Sequence, residues 1–148
     1  MFYIYRRHLP HWRLSLATYF VTWRLHRSQP DLPPEERDSI VDAIRRFDQQ
    51  RYRLFAYVVM NDHVHVLVTP SETVRLENLV QAWKSSTAHL LKKRGRRGCI
   101  WQAEYFDRIV RSGSDLAEKS RYILENPWNR WPDLGAYRWV WAWDSDER

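Results

Sequence analysis

From Ala17 to Leu25 the chain reads ATYFVTWRL, with Tyr19, Val21, Trp23 and Leu25 at every second position. That alternation predicts a strand with one apolar face. SQPDLPP follows as a loop whose prolines suit a helix start. Ile40, Val41, Ile44 and Phe47 then make an apolar stripe, which predicts a helix over 35–50. RLFAYVVM and HVHVLVT, parted by Asn61-Asp62, read as two strands joined by a turn. Leu76, Leu79, Val80, Trp83, Thr87, Leu90 and Leu91 keep an i, i+3, i+4 rhythm, predicting a second helix over 73–93 that Gly95 stops. EYFDRIVR reads as a fourth strand. Ser114-Asp115 then caps a third helix over 114–127, which Pro127 closes within its last turn.

Strand, helix, strand, strand, helix, strand is the βαββαβ order of a ferredoxin-like or RRM-like fold. The expected class is therefore α+β: an antiparallel four-stranded sheet with helices on one face, the other face open, and an additional C-terminal helix. The 148 residues make a single domain. Its aromatic tail, 128–148, is expected to dock on the body through Tyr137, Trp139, Trp141 and Trp143, which alternate along one extended face.

Charge narrows the partner. Lys and Arg number 24 against 18 Asp and Glu, a net charge of +6 with a pI near 9.7. Such a surface favours polyanions, nucleic acid first and anionic membrane second. No apolar run is long enough to span a bilayer, and MFYIYRRHLPHWR lacks the apolar core of a secretion signal. The single cysteine, Cys99, excludes an intramolecular disulfide and fits a reducing compartment. A cytoplasmic protein without a membrane partner is expected.

The candidate chemistry starts at VVMNDHVHVLV, where His63 and His65 share one face of a strand while Val64, Val66 and Val68 point the other way. Such a pair is either two hydrogen-bonded histidines on a sheet face or two imidazoles sharing a divalent cation. Metallo-hydrolases with His-x-His usually continue into Asp-His. Here Leu67-Val68 follow, so a third ligand has to come from elsewhere. On the third helix the expected stripe is Leu116, Ala117, Ile123 and Leu124. Tyr122 and Asn126 stack one turn apart, about 140° round from that stripe. They are either half-exposed packing residues or a hydroxyl beside an amide oxygen. LKKRGRRG, with five cations, is a solvated loop or a phosphate clamp, and Trp101 is either core or a base-stacking surface.

These blocks come in a recognisable order. ATYFVTWRL, VVMNDHVHVLV, LVQAWKSSTAHLL, IWQAEYFDRIVR and RYILENP together resemble the REP-associated tyrosine transposases, a branch of the single-tyrosine HUH transposases of the IS200-like superfamily. The resemblance covers nearly the whole chain. It implies a transposase that cleaves and rejoins single-stranded DNA through a 5′-phosphotyrosine link, on repeated palindromic, REP-like hairpins. By motif position, Tyr122 is the nucleophile and His63, His65 and Asn126 hold Mg²⁺ or Mn²⁺. Lys84, Arg108, Arg111 and Arg121 lie in the matching blocks and are the candidate DNA contacts, with Trp101 beside them. Use of Tyr122 within a monomer or across a homodimer stays open. The tail reads Trp139-Val140-Trp141 where relatives often carry Trp-Ser-Ser, so its target is expected to differ. The competing reading is a non-catalytic single-stranded nucleic-acid-binding module on the same sheet.

Overall fold

The alternation at the start of the chain forms β1 (Tyr19–Arg24), which pairs antiparallel with β3 (His63–Pro70) on one side and β4 (Phe106–Ile109) on the other. β2 (Tyr52–Val59) pairs with β3, and β5 (Val140–Ala142) with β2. The five-stranded sheet thus runs β4-β1-β3-β2-β5, all antiparallel. The structure, a computed structural model, describes residues 16–144. The N-terminal segment read for a secretion signal and the last residues of the aromatic tail lie outside it.

Three helices complete the fold. α1 (Pro34–Arg45) begins with a proline in its first turn and ends before the expected residue 50. After Phe47 the run Asp48–Arg51 is polar, Gln49 adopts φ +71°, and Asp48 Oδ1 accepts the Leu54 N–H at 2.9 Å. A turn therefore replaces the last helical turn. α2 (Leu76–Lys93) stops at Gly95, whose φ of +110° is the left-handed conformation glycine tolerates. α1 and α2 pack against each other and cover one face, burying Ile40, Ile44, Leu79, Val80, Trp83 and Leu91 against Val21, Trp23, Val64, Val66 and Val68.

The third helix departs from expectation in three ways. α3 (Gly113–Arg130) is capped by Ser112, whose hydroxyl accepts the Asp115 N–H at 3.1 Å, while Asp115 Oδ2 accepts the Arg111 N–H at 3.0 Å. Ser114-Asp115 thus lies within the first turn. Pro127 does not end the helix, because a proline near a C-terminus removes a single hydrogen bond and the Trp131 N–H still closes on Pro127 O. The buried stripe is Leu116, Ile123 and Pro127, while Ala117 and Leu124, both expected in it, face solvent.

α3 also changes the open face. It packs on β2, β3 and β5 on the side opposite α1 and α2, so half of the expected free face is covered. The tail docks as expected, but by forming β5 and so extending the sheet. Trp141 stacks on Tyr57 with ring centroids 5.8 Å apart, Trp143 meets Phe55 edge-on, and Tyr137 donates to Val59 O at 2.6 Å.

Candidate active site

The register of β1 on β3 decides what surrounds the histidines. Arg24 lies opposite His63, Thr22 opposite His65 and Phe20 opposite Leu67. Residues paired directly across two strands share a face, so all of these project toward the α3 side. The two imidazole centroids are 4.8 Å apart.

Each ring is held by a side-chain oxygen at Nδ1. His63 Nδ1 lies 2.7 Å from Asp62 Oδ1, and His65 Nδ1 lies 2.7 Å from Thr22 Oγ1. A carboxylate at Nδ1 fixes the proton there and leaves the Nε2 lone pair outward, the arrangement found behind metal-bound histidines. The Asn61-Asp62 turn that carries this carboxylate is itself tied down. Asn61 O accepts the Leu32 N–H at 2.7 Å, and Asp62 O accepts the Leu25 N–H at 2.9 Å.

Burial keeps both rings neutral. His65 is 4% exposed. Burial pushes its pKa down to about 3, with the neighbouring His63 and Arg24 adding to the effect. His63 is lowered by burial too, against a smaller opposing pull from Asp62. Neutral imidazole is the form that donates a lone pair to a metal.

α3 brings the remaining candidates to these rings. Tyr122 is 47% exposed. Its ring stands edge-on to both His65 and Phe20, at 5.6 and 5.9 Å between centroids, and Phe20 stacks on His65 at 5.2 Å. One turn on, the Asn126 amide lies beside His63, where it partly offsets the lowering of that ring's pKa. The tyrosine, the amide and both histidines therefore meet within one chain. Among the described residues no group of three or more His, Cys, Asp and Glu is placed to hold a metal. A cation here would take two imidazole nitrogens and the Asn126 oxygen, a sparse neutral donor set that leaves coordination positions for water and phosphate oxygens.

The proposed DNA contacts divide. Arg108, Arg111 and Arg121 are exposed, Arg108 on the histidine face of β4 and Arg121 beside Tyr122 on α3. Lys84 is not placed for a phosphate. Its ammonium is buried and donates to Gln102 O at 2.8 Å and Ala103 O at 3.0 Å. Trp101 is 5% exposed, packs edge-on against Trp23, and donates Nε1–H to Thr87 Oγ1 at 3.0 Å. It is a core residue and offers no ring face to a base. Within LKKRGRRG, Arg96 is likewise taken: it forms a buried ion pair with Glu36 at 2.6 Å and donates to Pro30 O and Asp31 O.

Sequence reading missed Thr22, Arg24, Phe20 and the side-chain role of Asp62. The first three sit on the alternate face of ATYFVTWRL, so the strand period carried that signal. Asp62 reads in the sequence as a turn residue, and its turn is what aims the carboxylate back at His63.

An α+β sheet with a histidine pair and a helix-borne tyrosine on one face is the class that fold and site define. The chain belongs to the IS200-like transposase family, whose model matches residues 15–126. Among solved structures it is similar to a REP-associated tyrosine transposase bound to a REP hairpin, with 22% identity, coverage of 89% of this chain and 90% of that one, and a TM-score of 0.64. It is also similar to a Deinococcus radiodurans structure assigned as a transposase, with 23% identity, coverage of 77% and 92%, and a TM-score of 0.57. No curated protein matches it. No described helix is long and apolar enough to cross a membrane.

Proposed function

We propose that this transposase cleaves and rejoins single-stranded DNA, with Tyr122 as nucleophile. The observation that carries the reading is the half-exposed Tyr122 ring set against the buried His65 within the same chain. The hydroxyl oxygen of Tyr122 attacks the scissile phosphorus as the bond from phosphorus to the 3′ oxygen breaks. The phenol's proton is given up and the departing oxygen takes one, leaving a free 3′ hydroxyl and a 5′-phosphotyrosine. One phosphodiester is exchanged for another, so the reverse attack by a 3′ hydroxyl reseals the strand without ATP.

His63, His65 and Asn126 are the residues that would hold a divalent cation, Mg²⁺ or Mn²⁺. When bound, such a cation polarises the scissile phosphate and offsets the charge that builds there. Thr22 and Asp62 orient the two imidazoles, and the exposed Arg108 and Arg121 are the proposed contacts to the phosphate backbone. REP-like hairpins are the proposed substrate, by analogy with the hairpin-bound structure of similar fold.

The test is a cleavage assay on DNA hairpins drawn from the flanks of its own gene. Wild type and Tyr122→Phe are compared with Mg²⁺, with Mn²⁺ and with chelator. A covalent protein–DNA adduct that needs both metal and Tyr122 is expected. Tight single-strand binding with no adduct under any metal would leave a binding module in place of a nuclease.

A further inference from the structure

α3 rests mainly on β2, β3 and β5, and among the described residues the β1–β4 half of the same face stays exposed at Phe106, Arg108 and Arg24. There Phe106 is 62% exposed, the most exposed large apolar side chain among the described residues. It lies directly opposite Thr22, the residue that holds His65, while Arg108 lies opposite Phe20 and Arg24 opposite His63. Phe106, Arg108, Phe20 and Arg24 therefore share the histidine face. Asp107, by alternation, points away from it.

We propose that this open half-face is a stacking subsite for an unpaired base beside the scissile phosphate, with Phe106 as its platform and Arg24 and Arg108 as its backbone contacts. The inference rests on the single-strand reading above, shares Arg108 with it, and adds Phe106, Phe20 and Arg24. Among the described residues Phe106 stands outside the hydrophobic core and most of its ring is exposed. Neighbouring strands lie about 4.8 Å apart, which puts Phe106 roughly 10 Å from the histidine strand, within reach of a short run of nucleotides. Phe20, stacked on His65 and edge-on to Tyr122, bridges the gap with a second aromatic surface. An aromatic ring flanked by guanidinium groups suits a base and its phosphates, and stacking accepts any base. On a chain of net charge +6 the complementarity is to a polyanion.

The experiment uses the full chain carrying Tyr122→Phe, so that binding is read without cleavage. The probe is a DNA hairpin from the gene's own flank, with 2-aminopurine placed in turn at each purine of its unpaired arm. Adding Phe106→Ala is expected to weaken binding about tenfold or more and to relieve quenching at one position of the arm, with the salt slope unchanged. Phe106→Trp is expected to restore both. Arg24→Gln and Arg108→Gln should each lower the salt slope by about one instead. Binding by Phe106→Ala within about twofold of its parent, with quenching intact, would overturn the subsite while leaving cleavage by Tyr122 standing. So would a change from dimer to monomer on Phe106→Ala, since a second copy would then be what covers the ring. Absence of any DNA binding by the parent would sink both readings together.

Discussion

Thr22→Val tests whether His65 is held as a ligand or merely packed. The substitution keeps the side-chain shape and removes one oxygen, the partner of His65 Nδ1 at 2.7 Å. Both residues are buried, Thr22 at 7% and His65 at 4% exposure, so water does not replace the lost partner. A buried ring nitrogen left unsatisfied costs about 1–3 kcal/mol of stability, read from urea unfolding. The same oxygen orients the ring, and loss of such a support weakens metal binding by about 10- to 100-fold. The expected result is a rise of that size in the Mn²⁺ concentration needed for half-maximal adduct formation. The rate at saturating Mn²⁺ should stay close to wild type, and Thr22→Ser should behave as wild type. A variant that loses stability but keeps its metal requirement would refute the reasoning, leaving Thr22 a packing residue and His65 no ligand.

Tyr122→Phe should abolish the adduct while shifting unfolding stability by no more than about 0.5 kcal/mol, because the half-exposed hydroxyl has no hydrogen bond among the described residues and the ring contacts remain. Mixing His65→Ala with Tyr122→Phe should not restore cleavage, since one chain carries the whole set; recovered adduct in the mixture would show exchange of α3 between subunits. Arg96→Met should cost about 3–5 kcal/mol in a urea titration by stranding the buried Glu36 carboxylate, with no change in the salt slope of DNA binding; a large change in that slope would make Arg96 a phosphate contact after all. Acid should destabilise the metal-free fold through His65. Its folded pKa, about 3, lies below the unfolded value of 6.5, so between those limits the unfolded chain takes up a proton the folded one refuses. Stability from this group is complete above pH 6.5 and falls as pH drops, by about 2 kcal/mol between pH 7 and pH 5. His65→Gln should remove about that much of the fall, and an unchanged pH profile would count against a neutral buried ring.

Much of this was legible from periodicity. Alternation in ATYFVTWRL and HVHVLVT assigned faces correctly, and the Asn61-Asp62 turn and Gly95 stop followed from their local chemistry. What the pattern could not show was partnership across the chain. Lys84 and Arg96 look like free surface cations until the fold supplies carbonyls from residues 102 and 103 for one and Glu36 for the other. Trp101 looks like a candidate stacking surface until Trp23 and Thr87 close around it. The tail alternates as an extended face, yet nothing local says that it joins β2 as a strand. Leu124 misled in the opposite direction: an apolar residue in a predicted stripe can face water, because single exposed leucines cost little.

α3 shows why the site is both rigid and accessible. Ile123 and Pro127, one turn apart, are buried in the core. Tyr122 and Asn126 each precede one of these anchors, so the same one-turn spacing repeats on the adjoining flank of the helix. The anchors fix the rotation of α3 about its axis, and that rotation aims Tyr122 and Asn126 at β3. The flank turned toward β1 stays open because α3 rests on β2 and β5 instead. The histidines gain burial from the sheet while the tyrosine keeps contact with solvent. On the reading proposed above, a strand of DNA reaching Tyr122 arrives over β1 and β4, across Phe20 and past Arg24 and Arg108, which the described residues leave exposed on this face.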